Sequence, residues 1–326
     1  MESILKPIEL PGLRIPGNIF LAPMAGYTDA AFRSLCREQG AALAFTEMMS
    51  AEGLARGSRK TLELARRAEN EELWGVQIFA GEPRSAAAAV RALEPLKPSL
   101  YDLNCGCSVP KVLKAGAGAA LLRDPQRIRE ILRAMRGETD SPLSVKLRSG
   151  WDPDSLNYLQ AAELAQEGGA ALACLHPRTR SQGFSGSADW SHVAELKRSS
   201  SLPVFGSGDL FSAEQAAALM SRTGCDGVMF ARGAIGNPFI FAQALALFRG
   251  QPPLPGPEAE VRLATALEQL ARAVALHGEL RACRQMRKHF CAYSRGIPGG
   301  AQLRGRAVRA ERLEDYRHLV EDYLRH

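Results

Sequence analysis

The chain has 326 residues, 46% apolar and 23% charged, values of an ordinary globular protein that exclude extended disorder. An α/β barrel alone takes about 250 residues, so the length allows one such barrel and one small further domain. The net charge of +6 is uneven: from Gly256 onward there are 13 Lys/Arg against 9 Asp/Glu, and Arg281 to Ala310 holds eight basic residues and no acid, which points to a polyanionic partner.

The segment from Met1 to Pro7 carries no basic start followed by an apolar run, and no window offers the roughly 18 uncharged apolar residues of a membrane span. The expectation is a cytoplasmic protein with no membrane association. Seven cysteines without paired C-x-x-C units read as thiols, with no metal site.

Short apolar runs then recur along the chain: Ile19 to Met24, Ala42 to Met48, Leu73 to Phe79, Leu100 to Asn104, Leu143 to Leu147, Ala171 to His176, Pro203 to Phe205 and Val228 to Ala231. Helix-like stretches separate most of them. Their ends are recognisable in Asp124-Pro125 as N-cap and N1, Ser212 with Gln215 as a capping box, and Gly40 or Gly168 as stops. Strand-helix alternation with near-continuous apolar strands implies a parallel sheet, and eight repeats imply closure into a (β/α)8 TIM barrel; an open doubly wound sheet is the structural alternative. The run Arg249-Gly250-Gln251-Pro252-Pro253-Leu254-Pro255-Gly256-Pro257 continues neither a helix nor a central strand. The expected organisation is therefore a catalytic barrel over residues 1–248, a Pro-rich linker over 249–257 and a small helical domain over 258–326.

In a parallel barrel the reacting groups sit on loops at the C-terminal strand ends. Those ends are Ala22-Pro23-Met24-Ala25-Gly26, Thr46-Glu47-Met48, the strand holding Gln77, Asp102-Leu103-Asn104-Cys105-Gly106-Cys107, Lys146-Leu147-Arg148 and His176-Pro177-Arg178-Thr179-Arg180. Strands seven and eight end in Gly206-Ser207-Gly208-Asp209 and Ala231-Arg232-Gly233-Ala234. Glycines there let backbone N–H groups approach an anion, so a phosphorylated cofactor is expected. Gly116-Ala117-Gly118 lacks the full dinucleotide fingerprint and its preceding strand, which rejects a Rossmann reading.

Taken together, these segments resemble the tRNA-dihydrouridine synthase family, and its bacterial B-type branch most closely. The resemblance continues through Met286-Arg287-Lys288-His289 and Pro298-Gly299-Gly300-Ala301-Gln302-Leu303-Arg304. It implies an enzyme with bound FMN that takes hydride from NADPH and reduces the C5=C6 bond of particular uridines to 5,6-dihydrouridine. It selects Cys107 as the catalytic residue, because Cys105 occupies the variable place of the Asn-x-Gly-Cys pattern. A thiol of ordinary pKa, about 8.5, is mostly protonated at neutral pH and suits a proton donor to C5 while hydride arrives at C6. Cys36, Cys174, Cys225, Cys283 and Cys291 keep structural readings.

For the flavin the resemblance implies Pro23, Met24 and Ala25 as a backbone shelf, Gln77 at the ring, Lys146 over the pyrimidine end and His176 beside the phosphate arm. Ser207, Gly208, Asp209, Arg232 and Gly233 complete the phosphate loops. Asn104, Arg148 and Arg178 are expected to face the substrate, and Arg284, Arg287, Lys288, Arg295 and Arg304 to bind RNA. The RNA is tRNA by resemblance, with ribosomal RNA left open, and no obligate protein partner is implied. Two departures stand out: Ser108 where the family carries proline, with a proline instead at Pro110, and Ser207 where the family carries asparagine. The second is expected to weaken rather than abolish FMN binding.

Other functions use the same fold. A flavin barrel could reduce a free pyrimidine or a small enone, or a redox-inactive barrel could serve as an RNA-binding factor. A barrel aldolase gains no carbonyl chemistry from Cys107 beside Asn104.

Overall fold

The computed structural model describes residues 3–325. A short hairpin, β1 (Ile8–Leu10) and β2 (Leu13–Ile15), turns at Pro11-Gly12 and precedes the barrel. Its apolar Ile8, Leu10 and Ile15 join Phe20, Leu100, Leu172, Phe205 and Met229 in the barrel interior, so the hairpin plugs the barrel at the end remote from the strand C-termini. Nothing in the alternation of the later strands announces this element, and the sequence reading passed over it.

Nine strand segments follow: β3 (Ile19–Leu21), β4 (Leu43–Ala44), β5 (Met49–Ser50), β6 (Gly75–Phe79), β7 (Leu100–Cys105), β8 (Leu143–Gly150), β9 (Ala170–Thr179), β10 (Val204–Ser207) and β11 (Gly227–Phe230). They pair in parallel in the order β4-β3-β11-β10-β9-β8-β7-β6-β5. Because β4 and β5 are two pieces of one stretch, the two edges of the sheet meet there. Phe45 bridges Gly75, and the Thr46 N–H donates to the Gly75 carbonyl at 2.9 Å. Eight staves result, as expected, with the second one interrupted. The interruption has a local cause: the Thr46 hydroxyl accepts the Gln77 N–H at 3.2 Å and replaces a ladder bond with a side-chain bond. Glu47 and Met48 are thereby released toward the barrel mouth.

The helices behave as their caps dictate. Ser212 and Gln215 form the capping box of the helix Ala213–Thr223, and Gly168 closes the helix Tyr158–Glu167. The expected start at Asp124-Pro125 falls one residue later, with Pro125 as N-cap of Gln126–Arg136. Their apolar faces and the outward strand residues form the main core, which includes Val76, Ile78, Leu103, Cys105, Val145 and Leu175.

Residues 251–258 are irregular, after which four helices run Ala259–His277, Glu279–Tyr293, Gly300–Ala307 and Leu313–Leu324. They share a second core built on Leu263, Leu270, Met286, Phe290, Tyr293, Tyr316 and Leu319, to which the barrel contributes Ala31. The contact runs along the first barrel helix, Ala30–Glu38: Arg272 pairs with Glu38 at 2.7 Å and His277 with Asp29 at 3.1 Å. Asp29 also caps that helix through the Phe32 N–H, so one carboxylate fixes both the helix start and the helical region's seat. A fully buried ion pair, Arg33 with Glu71 at 2.7 Å, ties the same helix to the segment before β6. No helix among the described residues is long and apolar enough to cross a membrane.

Candidate active site

Side chains alternate along each stave, and the alternation decides which polar groups enter the barrel. On β7, Asp102 and Asn104 share the inward phase of Leu100, while Tyr101, Leu103 and Cys105 pack against the surrounding helices. Register then stacks polar groups in tiers: Gln77 beside Asp102 and Asp102 beside Ser144, above them Asn104 beside Lys146, and highest Arg148 beside His176. The tiers open into a cleft of about 1190 Å³ at the C-terminal strand ends.

Cys107 lines that cleft and is half-buried, whereas Cys105 is fully buried on the opposite face of β7. The strand ends at Cys105, so the two-residue spacing does not keep the sulfurs on one side. A relay of hydrogen bonds shapes the Cys107 loop. Asp102 accepts from Gln77 Nε2 at 2.7 Å; Gln77 Oε1 accepts from Asn104 Nδ2 at 2.8 Å; Asn104 Oδ1 accepts the Gly106 and Cys107 N–H groups at 3.2 and 2.9 Å. A carboxylate accepts and a backbone N–H donates, so the two ends independently assign the same orientation to both amides. Burial pushes the Cys107 thiol up, against the opposing pull of the Val109 N–H and the Arg148 charge, and keeps it protonated at neutral pH. Ser108 also lines the cleft, and Pro110 is the first residue of a short helix, Pro110–Lys114, so the displaced proline starts that helix.

The whole expected cofactor set lines the cleft: Pro23, Met24, Ala25, Gln77, Lys146, His176, Ser207, Gly208, Asp209, Arg232 and Gly233. Burial, followed by the charges of Lys146, Arg148, Arg178 and Arg232, pushes His176 down to about 2, so its imidazole is neutral throughout the physiological range. That density of cations around a neutral ring suits a bound anion. Gly208 has φ +107°, and a Cβ there would stand 2.6 Å from His176 Cδ2, so the loop can approach a ligand only as glycine. The Ser207 hydroxyl donates to the Met229 carbonyl at 2.9 Å and is thus spent within the barrel. These features fit a planar cofactor with a phosphate arm. Gly208→Ala is expected to weaken binding of such a cofactor about tenfold or more, since strain of roughly 1–3 kcal/mol enters the loop. Flavin fluorescence titration checks it, and an unchanged affinity with an unchanged melting temperature would show that this loop does not hold the cofactor.

Of the expected substrate residues, Asn104, Arg148, Lys288 and Arg295 line the same cleft. Arg148 is largely committed to structure, donating to the carbonyls of Gly106, Thr179 and Gly183 at 2.8 Å each. Arg178 stands apart from the open cleft. It is 2% exposed and grips both Asp209 oxygens, at 2.9 and 2.7 Å, and the Ser185 and Gly186 carbonyls. Its position is that of a brace for the Gly206–Asp209 loop, holding Asp209 at φ +54°. Burial opposes ionisation of Asp209, but Arg178, the Ala188 N–H and Arg232 hold its carboxyl below the usual range.

Arg284 and Arg287 lie with Leu280, Arg281, Gln285 and Lys288 around a smaller basic cleft on the helix Glu279–Tyr293. Glu311, one residue beyond the acid-free stretch, returns to within 3.4 Å of Arg284 and 4.0 Å of Arg287. Arg304 donates to the Ser294 carbonyl at 2.8 Å, away from both clefts.

The sequence reading missed several residues of the mouth. Phe184 is 60% exposed on the loop after β9, with the Arg232 guanidinium 4.4 Å and the Arg148 guanidinium 5.6 Å from its ring centre. Phe211 lies 5.4 Å beyond Arg232. An aromatic in the glycine-flanked run Gly183-Phe184-Ser185-Gly186 was the available signal. Asp102 and Glu47 were visible as strand-end polar groups without an assigned role, and Ser144, near the start of β8, carried no signal.

The chain is similar to known proteins in fold and in sequence. Among solved structures, histamine dehydrogenase from Rhizobium sp. 4-9 superposes with a TM-score of 0.59 at 15% identity, over 82% of this chain and 51% of that one, a likeness of fold. A probable tRNA-dihydrouridine synthase of Treponema pallidum is 40% identical over 98% of this chain and 97% of its own length. tRNA-dihydrouridine synthase B of Pseudomonas putida is 38% identical over 93% and 90%. The family model for dihydrouridine synthase matches residues 20–326, from the first barrel stave through the last helix. A barrel whose cleft joins a protonated thiol to a cationic, glycine-lined rim, matched over this length at this identity, belongs to the dihydrouridine synthase family of flavin-dependent oxidoreductases.

Proposed function

We propose that the protein reduces specific uridines of tRNA to 5,6-dihydrouridine, with FMN bound in the barrel mouth and NADPH as electron donor. The observation that carries the reading is one cleft lined together by Cys107, Lys146, His176 and the Ser207–Asp209 loop. A reduced flavin held by these residues would supply hydride to uracil C6, the position activated by conjugation to the C4 carbonyl.

The chain does the rest. Cys107 holds the proton for C5, and the Asp102-Gln77-Asn104 relay holds the loop that presents it. Lys146, at the end of β8, balances negative charge at the pyrimidine end of the flavin. Pro23, Met24 and Ala25 form the shelf, and Ser207, Gly208, Asp209, Arg232 and Gly233, with His176, receive the phosphate arm. Arg178 fixes that arm's loop through Asp209, and Arg148 holds the cleft wall.

A uridine stacked in folded RNA must be extruded to reach this cleft, at a cost of a few kcal/mol. Residues 258–326 are proposed to offset that cost as an RNA-binding domain, joined through the 249–257 linker to the 1–248 barrel. Arg284, Arg287, Lys288 and Arg295 face the phosphates, while Arg304 supports the helical framework. The reaction is assigned to the cytoplasm, where tRNA is processed.

Incubating the purified chain with FMN, NADPH and unmodified tRNA should yield uridines heavier by two hydrogens in a nucleoside mass spectrum. A protein that takes up FMN and is reduced by NADPH, yet leaves the RNA unchanged while reducing free uridine, would overturn the RNA assignment.

A further inference from the structure

Lys288 belongs to both clefts, lining the barrel mouth on one side and the basic cleft with Arg281, Arg284 and Arg287 on the other. Its ammonium donates to the carbonyl of Gly26, in the loop that follows Pro23 and Met24, and lies 4.3 Å from the Tyr27 ring centre. The N–H of Gly26 donates in turn to the Glu47 carboxylate, released by the break between β4 and β5. Two peptide units of the Met24–Thr28 loop are thus held between an acid of the barrel and a base of the helical region. The hold is specific to this backbone. Gly26 has φ +78°, and a Cβ on it would stand 2.8 Å from Lys288 Nζ.

The neighbouring His289 extends the contact, its ring 5.2 Å from Tyr27 and 5.3 Å from Phe32. Among the described residues, no other side chain of the basic cleft lines the barrel mouth.

We propose that Lys288 is a positioning residue that couples phosphate binding on the helix Glu279–Tyr293 to the shelf beneath the flavin. The inference rests on the RNA reading above and adds to it a direction of coupling. An ammonium has three donors, so Lys288 can serve a phosphate oxygen and the Gly26 carbonyl together. A phosphate in the basic cleft immobilises the lysine stem in the rotamer that braces the loop, and the entropy of ordering that stem is then already lost when the flavin binds. RNA and FMN should each tighten the binding of the other by the same factor, as linkage requires.

The test titrates FMN by its fluorescence, with and without a saturating unmodified tRNA transcript, and titrates labelled transcript with and without FMN. The wild type is expected to show a reciprocal tightening of about fivefold or more. Lys288→Gln should bind the transcript more weakly, as a phosphate-facing residue, and with the ratio reduced to about one, while Lys288→Arg should restore the ratio. Arg284→Gln should weaken the transcript at every FMN concentration while keeping the ratio. Where Lys288→Gln does not fold, Tyr27→Leu removes the ring beneath the ammonium and must lower the ratio. A wild-type ratio of one, or a wild-type ratio surviving in Lys288→Gln or in Tyr27→Leu, overturns the coupling. A wild type that takes FMN and no transcript fails differently, because it removes the RNA reading itself.

Discussion

Cys107→Ala is expected to leave FMN binding and reduction by NADPH unchanged while slowing RNA-dependent reoxidation of the flavin by about 10²–10⁴-fold, the range of a positioned general acid. The separation of the two steps follows from where the thiol stands: it lines the cleft on the β7 loop, and Lys146, His176, the Ser207–Asp209 loop and Arg232 wall the same cleft from β8 to β11. Burial raises the thiol's pKa, so the rate should stay flat through neutral pH and fall only as pH rises through that raised value, where the thiolate has no proton to give. Cys105→Ala is the control, since that sulfur is fully buried against the helices; it should cost roughly 1 kcal/mol of stability and no chemistry. Stopped-flow absorbance of the flavin with tRNA as oxidant reads both variants. Wild-type reoxidation by Cys107→Ala would remove the thiol from the mechanism.

The barrel was legible in the sequence because its staves are buried on both faces and read as apolar runs, with capping residues marking the helices between them. What escaped has physical causes. The break in the second stave depends on Thr46 preferring a side-chain bond to Gln77, a competition that apolar patterning does not register. The plug hairpin is three residues per strand, too short for a period.

In the site, most polar groups at the strand ends were visible by type and position, while Phe184 and Phe211 and the division of labour among the polar groups were not. Arg178 and Arg148 have the chemistry of substrate contacts and are spent on Asp209 and on backbone carbonyls, because a buried guanidinium must satisfy five N–H groups wherever acceptors are near. Glu311 meeting Arg284 is likewise a tertiary fact, since the two lie on different elements.

Asp102 illustrates a role that only the fold reveals, and its replacement separates shape from charge. Burial pushes its carboxyl up to about 6 from an ordinary 3.8, against bonds from Ser144 and Gln77 and the Lys146 charge. The thiols of Cys105 and Cys174 are its other titratable neighbours, both raised by burial and uncharged. With the folded value above the unfolded one, the favourable contribution is fully present below about pH 3.8 and is lost as pH rises through about 6, a span worth about 3 kcal/mol.

Asp102→Asn removes that penalty and keeps an oxygen for Gln77 Nε2, with its own amide N–H₂ turned to the Ser144 hydroxyl, which has the Tyr101 carbonyl at 3.4 Å as an alternative acceptor. It should therefore react at nearly the wild-type rate and gain stability relative to wild type, by up to about 3 kcal/mol, between pH 4 and pH 7. Asp102→Leu fills the volume but leaves the Gln77 amide free to turn, so Asn104 no longer has a fixed partner and the Cys107 loop loses its register. A drop of about 10–100-fold in RNA-dependent reoxidation is expected, with NADPH reduction intact. Denaturant melts across pH and the same stopped-flow assay read the pair. Equal rates for Asp102→Leu and wild type would mean that the relay does not hold the thiol, and a pH-independent stability difference for Asp102→Asn would mean that the buried carboxyl is not held near 6.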